Sequence, residues 1–138
     1  MKKFFCDNRL AKVLLCMSSC HTITVGPFVL SRRKEERVTQ ETRNHEFTHV
    51  RQWAELAVAS GLFVWVLMLS FDLSAWWLAL SGLAFYLWYG LEWLVRLACL
   101  GDAGEAYRAI SLEREAYSNE GDANYLENSS YFAWVKYL

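Results

Sequence analysis

The sequence predicts a mainly α-helical chain: a transmembrane helical hairpin preceded by a short N-terminal β segment and followed by a third helix. Charge segregation is the first sign. Across residues 56–100 only Asp72, Glu92 and Arg96 interrupt an apolar run, and the remaining charges flank it. The run also divides into two uncharged stretches, 56–71 and 73–91, with almost nothing between them. Capping residues and helical periodicity mark the flanks. At 138 residues the chain suits a single domain, 1–138. A hydrophobic share of 54% excludes a disordered chain. The net charge of −1 lacks the basic surplus that nucleic acid requires, so no nucleic-acid partner is expected.

Residues 1–38 read as an extended or β segment. Met1-Lys2-Lys3 resembles the start of a signal peptide, but Asp7, Arg9 and Lys12 break the apolar stretch after it. Met17-Ser18-Ser19-Cys20 is a weak match to a lipoprotein cleavage site, and retention of the segment is the expectation. Cys6, Cys16, Cys20 and Cys99 form no C-x-x-C pair and read as unpaired thiols. Residues 22–30, TITVGPFVL, are β-prone, and Pro27 suits an edge or a bulge. A plain extended linker or a surface hairpin is the alternative. Residues 31–37, SRRKEER, form a solvated charge run with a secondary role at anionic headgroups.

A helix is predicted over 39–71. Thr39 can cap it and Glu41 places negative charge in its first turn. It continues through Gln52 into the first apolar stretch, which reaches a bilayer's requirement of about 20 residues if Trp53 and Ala54 extend it and Glu55 snorkels or pairs. The second span covers 73–100, and the turn of 70–74 forces the two to run antiparallel. Trp76 and Trp77 lie at one end; Trp88, Tyr89 and Trp93 lie at the other, as interfacial aromatics do. A buried hairpin in a soluble bundle is the competing reading, but the rest of the chain is short for covering two helices that are apolar all round. Ten Lys and Arg precede the hairpin, four follow its second apolar stretch and none lies in the turn. That asymmetry predicts a multi-pass protein of the inner (plasma) membrane with both termini cytoplasmic and the bilayer as a partner. Glu92 and Arg96, four residues apart, read as a structural ion pair.

The next helix is predicted over 102–120. Asp102-Ala103-Gly104-Glu105 reads as a capping box and Gly121 as a stop. Ala106, Ile110, Glu113 and Tyr117 share an inward face; Arg108, Ser111, Glu115 and Ser118 share a face turned to water. Residues 121–138 are aromatic-rich and suit a short helix across the site or in the interface.

Residues 45–49 spell H-E-F-T-H. On a helix, positions i and i+4 face the same way, so His45 and His49 converge on one cation, expected to be Zn2+. Glu46 then lies beside the open coordination position and can relay a proton. Three protein ligands plus water is the usual catalytic arrangement. The spacing H-E-x-x-H-x-x-G-x-x-H is absent, so a carboxylate is the next choice. Glu113, inward among apolar neighbours, needs a partner, and the ion is the preferred one. An internal salt bridge to Arg51 is the alternative, with Glu120 a weaker alternative ligand. His21 reads as a surface or strand-end residue.

H-E-F-T-H-V-R-Q (45–52) followed by L-E-R-E-A-Y (112–117) resembles the gluzincin metallopeptidases, among them the CAAX prenyl proteases, the HtpX peptidases and the BlaR-type sensors, which set this arrangement beside membrane helices. The resemblance covers those two segments and the general layout. It implies His45, His49 and Glu113 as metal ligands and Glu46 as the base. The sequence departs at Tyr117, where these families carry an Asp that orients a ligand His. Tyr117 can instead donate a hydrogen bond to the site or to an oxyanion. The resemblance also implies an edge strand near the zinc that pairs with the substrate backbone. Because His49 precedes Leu56 by seven residues, about 10 Å of helix, the site would sit close to the lipid boundary. The expected function is hydrolysis of peptide bonds in membrane-associated or juxtamembrane peptides and proteins at the cytoplasmic face. The alternative is a non-enzymatic membrane protein with a structural or sensory metal site, closed by Glu120 or His21 as a fourth ligand.

Overall fold

A computed structural model describes residues 4–16 and 20–138. The lysines of the signal-like start and residues 17–19 of the cleavage-site match lie outside the described residues. The chain is mainly helical, with one small three-stranded sheet and two long apolar helices. It divides into two compact units, Met1–Arg51 with Ala116–Ser129, and Gln52–Glu115 with Ser130–Leu138.

The first unit holds the sheet, in the order β1-β3-β2, from β1 (Phe4–Phe5), β2 (Thr22–Val25) and β3 (Phe28–Ser31). β1 pairs parallel with β3, and β2 pairs antiparallel with it in the register Val25↔Phe28. β2 is therefore an edge strand. Pro27 sits in neither an edge strand nor a bulge, as the sequence reading had it, but in the two-residue turn between β2 and β3. Gly26 takes φ 58° there, which a residue with a Cβ resists, and proline supplies the fixed φ of the next position. Residues 1–38 are also less extended than expected. A helix, α1 (Arg9–Leu14), forms because the Asn8 side chain accepts from the Leu10 and Ala11 amides at 2.8 and 3.3 Å. Its Ala11 and the capping residue Leu15 pack with Leu30, Phe5 and Ile23.

α2 (Gln40–Phe71) runs through both units. Thr39 Oγ1 accepts from the Thr42 amide at 3.1 Å and so starts it. Its 32 residues make about 48 Å of helix. It ends where Asp72 turns left-handed at φ 51°.

In the second unit a 3-10 stretch, Ala75–Leu83, leads into α3 (Ala84–Leu100). The predicted second span, 73–100, is thus 3-10 over nine of its residues, Ala75–Leu83. The Ser81 and Gly82 carbonyls accept from the Ser60 hydroxyl at 3.2 Å and the Trp53 indole at 2.9 Å. Ser81 Oγ donates to Leu78 O at 2.7 Å, and these side chains compete with a regular helical ladder. Gly101, at φ 73°, closes α3 by donating its amide to Leu97 O. Both long segments pass as candidate spans by length and hydropathy, and only 6% of each apolar window is buried.

The predicted helix over 102–120 is two helices, α4 (Ala103–Ala109) and α5 (Ser111–Asn119). Asp102 caps α4 through the Gly104 and Glu105 amides, each at 2.8 Å. Ile110, with ψ 132°, breaks the ladder. Glu92 then caps the start of α5: its carboxylate accepts from the Ser111 amide at 2.9 Å and the Ser111 hydroxyl at 2.6 Å, and pairs with Arg96 at 3.2 Å. Phe85, Ile110, Leu112 and Trp134 form the buried core of this unit. The C-terminal aromatics therefore contribute Trp134 to packing, from a 3-10 turn at Ala133–Tyr137, after the one-turn α6 (Tyr125–Asn128).

Candidate metal centre

His45 and His49 lie one turn apart on α2, and both are buried. Their Nε2 atoms are 3.1 Å from each other. Two imidazoles bound to one tetrahedral zinc, with Zn–N near 2.0–2.1 Å, hold their nitrogens about 3.3 Å apart. The pair thus already has the separation that a shared ion imposes. Glu113, on the first turn of α5 and 2% exposed, completes a group whose ligand atoms all lie within 4.8 Å of one another. The donor set, two imidazoles and one carboxylate, could hold a metal ion.

Two of these three side chains, His45 and Glu113, have a neighbour that fixes their orientation. His45 Nδ1 stands 3.2 Å from Glu120 Oε2. With the carboxylate ionised, the ring proton resides on Nδ1 and the Nε2 lone pair is directed to the pair's meeting point. The Asn44 amide donates to the Glu120 backbone carbonyl at 2.8 Å and ties that turn down. Glu113 Oε1 accepts from the Tyr89 hydroxyl at 2.8 Å. One turn of α5 beyond Glu113, Tyr117 lays its ring edge-on to His45, centroids 4.6 Å apart, and remains 46% exposed.

Glu46 is 8% exposed, and its Oε2 accepts from Thr24 Oγ1 at 2.7 Å. The edge strand β2 therefore touches the carboxylate that follows the first ligand histidine. Arg51 donates to the Leu126 carbonyl at 3.2 Å and to the Ser129 carbonyl at 3.1 Å.

Three side chains depart from the expected faces. Glu115, expected in water, is 2% exposed and accepts from Gln52 Nε2 at 2.8 Å. Tyr117, expected inward, lies at the solvent edge. Both follow from the break at Ile110, which discards the phase of α4 and lets Glu92 set the start of α5. Ser111 is likewise buried, not solvated.

The sequence reading missed the roles of Tyr89, Thr24 and Gln52, and treated Glu120 only as a spare ligand. Glu120 follows Glu113 by seven residues, two helical turns, so that spacing did carry a signal. Tyr89 and Thr24 come from distant segments, and no local pattern marks them.

No protein-family model, curated protein or solved structure matches this chain.

Proposed function

We propose that this chain is an integral membrane metallopeptidase that hydrolyses peptide bonds in membrane-associated or juxtamembrane substrates. The observation that carries the reading is the convergence of His45, His49 and Glu113, with Glu46 next to His45 in the sequence.

Membrane insertion is supported by exposure. Leu62, Phe63, Leu69, Phe71, Trp76 and Leu87 are each more than half exposed on segments long enough to span a bilayer. Burial inside a soluble core would hide them, and water would not stabilise so much apolar surface. The Trp53–Gly82 and Ser60–Ser81 hydrogen bonds tie the two spans as a hairpin. The distribution of Lys and Arg assigns both termini to the cytoplasmic face.

A zinc ion held by the three side chains would supply the Lewis acidity that polarises the scissile carbonyl. Glu46 takes a proton from the attacking water and passes it to the leaving amine, which separates as the C–N bond breaks. The Thr24 hydroxyl holds one carboxylate oxygen of Glu46 and leaves the other for that exchange. Tyr117 offers its phenol to the developing oxyanion. Glu120 keeps the His45 ring in the ligating tautomer.

The non-enzymatic alternative requires a fourth protein ligand. Glu120 faces the Nδ1 side of His45, and His21 Nδ1 accepts from Arg32 Nε at 2.9 Å, so neither favours it. The test measures zinc content and peptide hydrolysis on purified protein in detergent. Glu46→Gln should keep its zinc and lose hydrolysis; Glu113→Ala should lose zinc. Unchanged zinc in Glu113→Ala removes that residue from the site, and a wild-type protein that binds zinc but cleaves nothing refutes the peptidase reading.

A further inference from the structure

We propose that a basic cavity beside β2 selects substrates that carry acidic residues about three positions from the cleaved bond. This specificity rests on the reading of Glu46 as the base.

The cavity, of about 690 Å³, is lined by Lys12, Arg32, Arg33, Lys34, Arg37 and His21. Asp7 is its one carboxylate, and that group is paired with Lys12. Arg33, Lys34 and Arg37 make no ion pair with any described residue. Several cations around one concavity repel each other, and an anion inside relieves that repulsion. The walls are held by backbone bonds. The Asp7 amide donates to Arg33 O at 2.9 Å and the Arg32 amide donates to His21 O at 3.0 Å. Arg32 Nη1 reaches Leu15 O at 3.1 Å. Because His21 Nδ1 accepts from Arg32 Nε, the ring is neutral and its proton lies on Nε2, a further donor for an anion. The volume is that of a ligand pocket and admits more than one carboxylate side chain.

Its position gives it a part in specificity. His21 directly precedes β2 and Arg32 directly follows β3, so the cavity lies at the open end of that hairpin. Thr24, which holds Glu46, is three residues along the same strand, or about 10 Å. An extended peptide with its scissile bond at Glu46 covers that distance in about three residues and delivers its side chains to the cations. A peptide fits better than a lipid headgroup. The strand that begins beside the cavity also holds Glu46 through Thr24, so a chain extended along it reaches both.

The test uses full-length Glu46→Gln protein in detergent, so that binding is read without turnover. The probes are a fluorescein-labelled peptide with an Asp cluster and its Asn counterpart, followed by fluorescence anisotropy. The Asp peptide should bind at least about tenfold tighter, with an advantage that shrinks in high salt. Adding Arg33→Glu and Arg37→Glu together should abolish or reverse the preference, while an unchanged melting profile shows that the variant is folded. Equal binding of the two peptides, a preference that survives charge reversal, or capture of anionic-lipid vesicles in place of the Asp peptide overturns the proposal. If the Asp peptide binds selectively yet wild-type protein cleaves neither peptide, the peptidase reading fails and the acidic-peptide site stands.

Discussion

Glu120 offers the sharpest test of how the proposed site is held together. Its Oε2 lies 3.2 Å from His45 Nδ1, and the Glu120 side chain is 33% exposed. Carboxylates that orient a ligand histidine contribute about 10- to 100-fold in metal affinity. One-third exposure lets water screen this one, so the lower end applies: about tenfold, or about 1.4 kcal/mol. Glu120→Ala should weaken zinc binding by that factor. Glu120→Gln keeps an acceptor without the charge and should lose only a few-fold. Zinc affinity is read by competition with a chromophoric chelator on protein carrying Glu46→Gln. Asn44→Ala serves as the control, because the Asn44 side chain bonds the Glu120 backbone and Gln40 and makes no bond to the Glu120 carboxylate. Unchanged affinity in Glu120→Ala refutes the reasoning. So does an equal loss in Asn44→Ala, which would assign the effect to the local fold instead of the carboxylate.

Other consequences follow from the same geometry. Tyr89→Phe removes the hydroxyl that donates to Glu113 and should cost about 1.5 kcal/mol in chemical unfolding, with a several-fold loss of zinc affinity; no change in either would detach Tyr89 from the site. Glu92→Ala strips the start of α5 of its cap and leaves the buried Ser111 donors unmet, a loss of about 1–3 kcal/mol, whereas Arg96→Ala should stay within about 1 kcal/mol. Equal losses in those two variants would make the ion pair, not the cap, the stabilising contact. Partial desolvation, then Arg33 and Arg32, hold the His21 pKa below the usual histidine value. Its neutral form therefore contributes stability that is complete above pH about 6.5 and lost as pH falls through the depressed value. An NMR titration that places His21 at or above the ordinary value would contradict the positive field around the cavity.

Much of this protein was legible in the sequence because the relevant physics is local. Helical periodicity alone puts His45 and His49 on one face of α2, and an uncharged stretch close to a bilayer core in length, 73–91, is visible without coordinates. Thr39 and Asp102 announce helix starts through side chains that bond amides two or three residues away. The sequence could not settle features fixed by partners from elsewhere. A carboxylate from α3 sets where α5 begins, and that choice buries Glu115 and turns Tyr117 to the solvent edge. Carbonyls claimed by Trp53 and Ser60 accompany a 3-10 stretch, Ala75–Leu83, in the second span. Only the folded chain joins Tyr89 to Glu113, Thr24 to Glu46 and Glu120 to His45. Those bonds cross 24, 22 and 75 residues, distances over which no periodic pattern keeps phase.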